Sequence, residues 1–126
     1  MTIDGGEGFD SVQLTDDFGG RVSVEDVERV TGGFGFDEVT LTDDFGGIVE
    51  LSAVETIHAG AGANVLTVTT NDIEALFGGS QSDAVTLTDG AGNSLLLDGV
   101  EDVTGAEGFD KVTLSNTNTA QLGIFG

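Results

Sequence analysis

Residues 5–20 read GGEGFDSVQLTDDFGG and residues 32–47 read GGFGFDEVTLTDDFGG, the same phrase 27 residues later. Self-similarity at a fixed period marks a repeat architecture. The aliphatic residue two places ahead of each glycine-led motif sets unit starts at Ile3, Val30, Ile57, Leu76 and Val103, with spacings of 27, 27, 19 and 27. Numbered from these starts, aliphatic residues gather at positions 1, 10, 12, 20, 22 and 25. Of the 30 Ile, Val and Leu residues, 27 fall there, and only Ile48, Val65 and Leu96 do not. The paired positions lie two apart, which is strand periodicity, and Gly, Asp and Asn separate the pairs.

A unit of two or three short strands cannot bury its aliphatic face alone, whereas stacked units build one continuous core. The expected fold is therefore all-β: a right-handed parallel β-solenoid of about five coils, one per repeat, with ~4.8 Å between coils. A single domain over residues 1–126 is expected. The 19-residue unit reads as a coil lacking one turn and one strand, which would leave a notch.

Composition narrows the function. The chain has no Cys, Pro, Trp or Tyr, and its 23 acids against three bases give a net charge of −20. That charge excludes nucleic acid and anionic membranes as partners and points to a cation. At 38% hydrophobic the chain is too apolar for a disordered acidic tail. No stretch is long enough to span a membrane, and MTIDGGEGFD lacks the features of a cleaved signal, so export is expected to use another route. His58 is the only histidine, no basic cluster awaits an acidic sugar, and no catalytic residue is assigned.

Positions 3 to 11 of the units read GGEGFDSVQ, GGFGFDEVT, AGAGANVLT, GGSQSDAVT and GAEGFDKVT. This run resembles the RTX (hemolysin-type) calcium-binding nonapeptide G-G-x-G-x-D-x-U-x, where U is a large aliphatic residue. The first two copies match throughout; the others carry Asn64 for the Asp, Gln81 for the third glycine and Ala106 for the second. Calcium takes six to eight oxygen ligands, and glycines let a tight turn aim several carbonyls at one point. The resemblance implies calcium between neighbouring coils, held by Asp10, Asp37, Asn64, Asp83 and Asp110 with the turns of Gly5, Gly8, Gly32, Gly35, Gly78 and Gly105, weakest beside Asn64. The chain departs from the family because ten to eighteen residues follow each motif, so that only one edge is expected to carry it.

Opposite turns read TDDFGG, TDDFGG, TDGAGN and SNTNT. Asp16, Asp17, Asp43, Asp44 and Asp89 make either a second, looser cation edge or a solvated acidic turn. Position 26 would stack Glu28, Glu55, Glu74 and Glu101, like charges that repel by roughly 1 kcal/mol per neighbour even in water. Bound cations would relieve this ladder.

Outward positions 11 and 13 carry Thr15, Thr40, Thr42, Thr67, Thr69, Thr86, Thr88 and Thr113, a Thr-x-Thr grid that resembles the ice-binding face of β-helical antifreeze proteins. Thr is also simply the favoured polar residue of an exposed strand. Phe9, Phe36 and Phe109, and Phe18 and Phe45, are expected to stack on the corners, or else to form an adhesive edge. Leu122 and Ile124 keep register near the end, so open strand edges suggest head-to-tail assembly, with calcium joining Asp110 of one subunit to Asp10 of the next. The expectation is a calcium-binding structural protein, extracellular or on the cell surface, partnered by its own copies or by the surface. Ice binding, or a non-catalytic module of a larger secreted protein, are the alternatives.

Overall fold

The computed structural model describes residues 1–15, 17–42, 47–69, 72–88 and 94–115, and the backbone of 121–123. Fourteen strands follow one another: β1 (Thr2–Asp4), β2 (Ser11–Gln13), β3 (Arg21–Glu25), β4 (Arg29–Thr31), β5 (Glu38–Leu41), β6 (Ile48–Ser52), β7 (Thr56–His58), β8 (Val65–Val68), β9 (Ala75–Phe77), β10 (Ala84–Leu87), β11 (Ser94–Asp98), β12 (Asp102–Thr104), β13 (Lys111–Leu114) and β14 (Gln121–Gly123). The odd-numbered strands form one parallel seven-stranded sheet and the even-numbered strands another. Each coil thus contributes one strand to each sheet, and the chain winds through about six coils of a β-solenoid.

The aliphatic positions explain this packing. Alternate residues of a strand face opposite ways, and Val22 and Val24, Val39 and Leu41, Val49 and Leu51, and Leu95 and Leu97 all turn into the space between the sheets, at most 3% exposed. Together with Ile57, Leu66, Ile73, Leu76, Val85 and Val103 they make one continuous core. The three aliphatic residues outside the inward pattern lie outside: Ile48, Val65 and Leu96 are 73%, 48% and 38% exposed.

One expectation is corrected. A coil is not a repeat. Cross-coil partners lie 17 to 21 residues apart, so each 27-residue repeat of three strands runs one and a half coils. Successive repeats therefore present the same turn to opposite edges of the solenoid. The short third unit, with two strands β7 and β8, is one whole coil and leaves no notch.

Glycine makes one approach possible. A Cβ on Gly32 would stand 1.6 Å from the carbonyl oxygen of Ala53, and one on Gly78 would stand 2.0 Å from that of Gly99. Ala53 and Gly99 occupy the same repeat position in the next coil, both with positive φ, 51° and 66°. The left-handed residue tips its carbonyl onto the glycine below.

Candidate cation-binding turns

The turns that run from odd to even sheet form a first edge, and those from even to odd form a second. Asp10, Asn64 and Asp83 precede β2, β8 and β10 and lie on the first edge; Asp37 and Asp110 precede β5 and β13 and lie on the second. The expected single column is therefore divided, and only Asn64 and Asp83 belong to successive coils. Asp10 and Asp110 share no edge, so a head-to-tail contact in continuous register would not bring them together.

Most Asp turns stack not on another Asp turn but on a Glu. The N–H groups of Asp10, Asp37 and Asp83 donate to Oε2 of Glu28, Glu55 and Glu101 at 2.7, 2.6 and 2.8 Å, each pair 18 residues apart. The N–H groups of these three glutamates return to the carbonyls of Asp10, Asp37 and Asp83 at 3.1 to 3.2 Å. The glutamate ladder is accordingly dispersed: of its four members only Glu55 and Glu74 adjoin, through Glu74 N–H to Glu55 O at 2.8 Å. The glutamates, expected as a repelling column, are acceptors instead, and the recurrent 18-residue step from Asp to Glu is the sequence signal of that role.

The Asp side chains differ from turn to turn. Asp37 is wholly buried, and its carboxylate is closed by two backbone donors, Gly20 N–H to Oδ1 at 2.6 Å and Gly33 N–H to Oδ2 at 2.8 Å. Asn64, 1% exposed, accepts at Oδ1 from Gly47 N–H at 3.1 Å. Its amide nitrogen donates to Ala59 O and Gly62 O at 2.9 Å and to Asp83 Oδ1 at 3.0 Å. Asp83, also 1% exposed, takes Asn64 N–H on the same Oδ1 at 2.8 Å. The buried Oδ2 atoms of Asp83 and Asp10 have no hydrogen-bond partner.

Electrostatics follow burial. Desolvation pushes the Asp83 carboxyl above the ordinary carboxylate range, hydrogen bonds from Asn64 pull it back, and Glu101 adds to the rise. Desolvation likewise raises Glu55, against the Asp37 N–H bond and with help from the charges of Asp37 and Asp72. Both arginines are engaged elsewhere: Arg21 pairs with Glu38 at 2.7 Å, and Arg29 with Glu50 at 3.4 Å while lying 5.4 Å over the ring of Phe9.

Gly5, Gly32 and Gly78 admit the carbonyl of the next coil, and Gly8 and Gly35 have positive φ; Gly105 opens the turn to Asp110. Among the described residues no three acidic or histidine side chains converge on one point. A cation at these turns therefore has to draw most of its ligands from backbone carbonyls. The orphaned oxygens of Asp10 and Asp83 fit such a group, whereas Asp37, already satisfied by two N–H donors, does not call for one.

Asp17 is exposed on the second edge; Asp16, Asp43, Asp44 and Asp89 lie outside the described residues. The threonine grid is split, with Thr40 and Thr113 on the odd sheet, Thr67 and Thr86 on the even, Thr42, Thr69 and Thr88 one residue past β5, β8 and β10, and Thr15 two residues past β2. Thr42, Thr69 and Thr88 turn their hydroxyls to the carbonyls of Val24, Leu51 and Val68 in the preceding coil.

Among the described residues the corner phenylalanines do not stack on one another. Phe9 and Phe36 turn on opposite edges, and Phe9, Phe18, Phe34, Phe36 and Phe109 stand 52% to 96% exposed. Phe45 and Ile124 lie outside the described residues. His58 stacks on Phe77 with centroids 4.9 Å apart and meets Glu38 at 3.3 Å. No protein-family model matches this chain, and neither a curated protein nor a solved structure matches it.

Proposed function

We propose that this chain is a calcium-binding structural repeat protein of the extracellular space or cell surface, with ions seated in the turns of Asp10 and Asp83. The observation that carries the reading is the Oδ2 of Asp83, buried and without a hydrogen-bond partner in a molecule of net charge −20. A buried carboxylate oxygen left without a donor is costly, and a cation or a proton is what relieves it. Calcium suits a seat made largely of carbonyl oxygens, and its millimolar concentration outside cells fills weak sites. The resemblance of the glycine-led turns to RTX nonapeptides points the same way. Binding to the folded coil alone would couple folding to calcium. Thermal melting followed by circular dichroism, in millimolar calcium chloride against EGTA, tests this: calcium should raise Tm by roughly 5 °C or more, and identical melts would sink the reading.

A second reading attaches to the outer face of the even sheet. Thr67, Thr86 and Thr104 stand in register on three successive strands, beside the exposed Ile48 and Val65, also in register. Such a flat row of methyls and hydroxyls is the kind of face that orders water. Thermal hysteresis that disappears in Thr67→Tyr would favour ice adsorption; its absence in the parent chain would remove that reading.

A further inference from the structure

Asn64 marks the one junction where two glycine-led Asx turns lie directly on each other. At Asp10, Asp37 and Asp83 a Glu-bearing turn follows instead, that of Glu28, Glu55 and Glu101. The short third unit omits that step, and Asn64 meets Asp83 side chain to side chain at 3.0 Å. Two carboxylates at such a distance in a buried site do not both ionise.

Asn64 and Asp37 are oriented alike, since Oδ1 of each accepts an N–H from the coil before it, Gly47 and Gly20 respectively. The Asn64 amide nitrogen therefore corresponds to the Asp Oδ2. Three oxygens surround that nitrogen within 3.0 Å: two carbonyls of its own turn, Ala59 and Gly62, and the Asp83 carboxylate of the next coil. Carbonyls from one turn and a carboxylate from the next are the donor set a cation between coils would use. Asp83 is oriented the same way, its Oδ1 accepting the Asn64 N–H from the coil before, and there the corresponding atom is an oxygen, buried and unpartnered.

We infer that the Asn64 amide is a built-in substitute for an intercoil cation, holding the β7–β8 coil to the β9–β10 coil without metal. This rests on the calcium reading above and adds a division of labour to it. The junction between the Asn64 and Asp83 turns is then independent of calcium, while Oδ2 of Asp10 and of Asp83 are left to respond to it.

The test is Asn64→Asp in the full chain, with thermal melts in EGTA and in calcium and calcium stoichiometry by isothermal titration calorimetry. In EGTA near neutral pH the variant should lose roughly 10 °C of Tm, because two buried carboxylates face each other. Calcium should restore it to the parent value, and the variant should take up one more ion per chain than the parent. A deficit that calcium does not repair, with unchanged stoichiometry, overturns the inference.

Should Asn64→Asp not fold in either buffer, Asp83→Asn decides. It keeps the Oδ1 acceptor for Asn64 and replaces the orphaned oxygen with a second amide, so it should melt higher in EGTA and bind one ion fewer. Equal melting and equal uptake overturn the inference. A parent chain that takes up no calcium refutes the calcium reading alone, because gain of an ion by Asn64→Asp is scored separately.

Discussion

The backbone N–H of Asp37 donates to Oε2 of Glu55 at 2.6 Å, and the N–H of Glu55 returns to the carbonyl of Asp37 at 3.2 Å, one coil along the stack. The Glu is thus an acceptor that closes the edge rather than a surplus charge. Glu55→Ala leaves the Asp37 N–H without its partner and should destabilise the fold by about 1 to 3 kcal/mol. Glu55→Gln keeps an acceptor oxygen, removes a charge beside Asp37, and should stay within about 0.5 kcal/mol of the parent or exceed it. Urea unfolding of both variants measures the difference; equal losses would mean that the charge, not the acceptor, is what the position supplies.

Acid should strengthen this chain in the absence of calcium. Burial and the neighbouring Asp37 raise the Glu55 carboxyl above its ordinary value. A carboxyl that holds its proton more tightly when folded adds stability at a pH below its unfolded pKa, and this is lost as pH rises through the folded one. In EGTA, Tm should therefore be higher at pH 5 than at pH 8, and Glu55→Gln should flatten that slope. A Glu55→Gln variant with the parent's pH dependence would exclude Glu55 as a source.

Gly32 and Ala53 interlock across coils, and each predicts an opposite effect. Gly32→Ala drives a methyl to within 1.6 Å of the Ala53 carbonyl, and the backbone has to separate, at about 3 kcal/mol or more. Ala53→Gly relaxes a left-handed residue, φ 51°. That conformation costs an L-residue about 1 to 2 kcal/mol, while glycine's greater freedom in the unfolded chain takes back about 0.4 to 1. The net is a gain of about 0.5 to 1 kcal/mol, readable as a rise of a few degrees in Tm. Gly99, at the same repeat position, already has the favoured residue.

The aliphatic spacing carried the strands and the inward faces, because a period of two is a local property of each strand. It named Ile48, Val65 and Leu96 as outsiders, and all three are exposed. The number of strands that close a coil was not legible there, since Val39 and Leu41 point inward in a two-strand or a three-strand coil alike. Two signals did encode the answer: the 18-residue step from Asp37 to Glu55, and a short unit that holds two strands. The site suffered from the same ambiguity. With one coil per repeat, Asp10 and Asp37 stack; with one and a half, they turn on opposite edges. The exposure of Phe18 and Phe34 had no sequence signal, because aromatic residues at a corner read equally well as packed or free.

Leu96 and Leu97 are neighbours in β11 and give the sharpest test of register. A shift of one residue exchanges the two faces of a strand, so the pair cannot both be core. Leu96 is 38% exposed on the outer face of the odd sheet, in register with Ala75 and Thr113, whereas Leu97 is fully buried against Leu76 and Leu114. Leu96→Thr should alter stability by less than about 0.5 kcal/mol. Leu97→Ala should cost about 2 to 5 kcal/mol through lost burial and the cavity it opens. Urea denaturation in calcium-containing buffer separates them, and a reversed order would place β11 one residue out of its assigned register, carrying the turn before Glu101 and its bond to Asp83 with it.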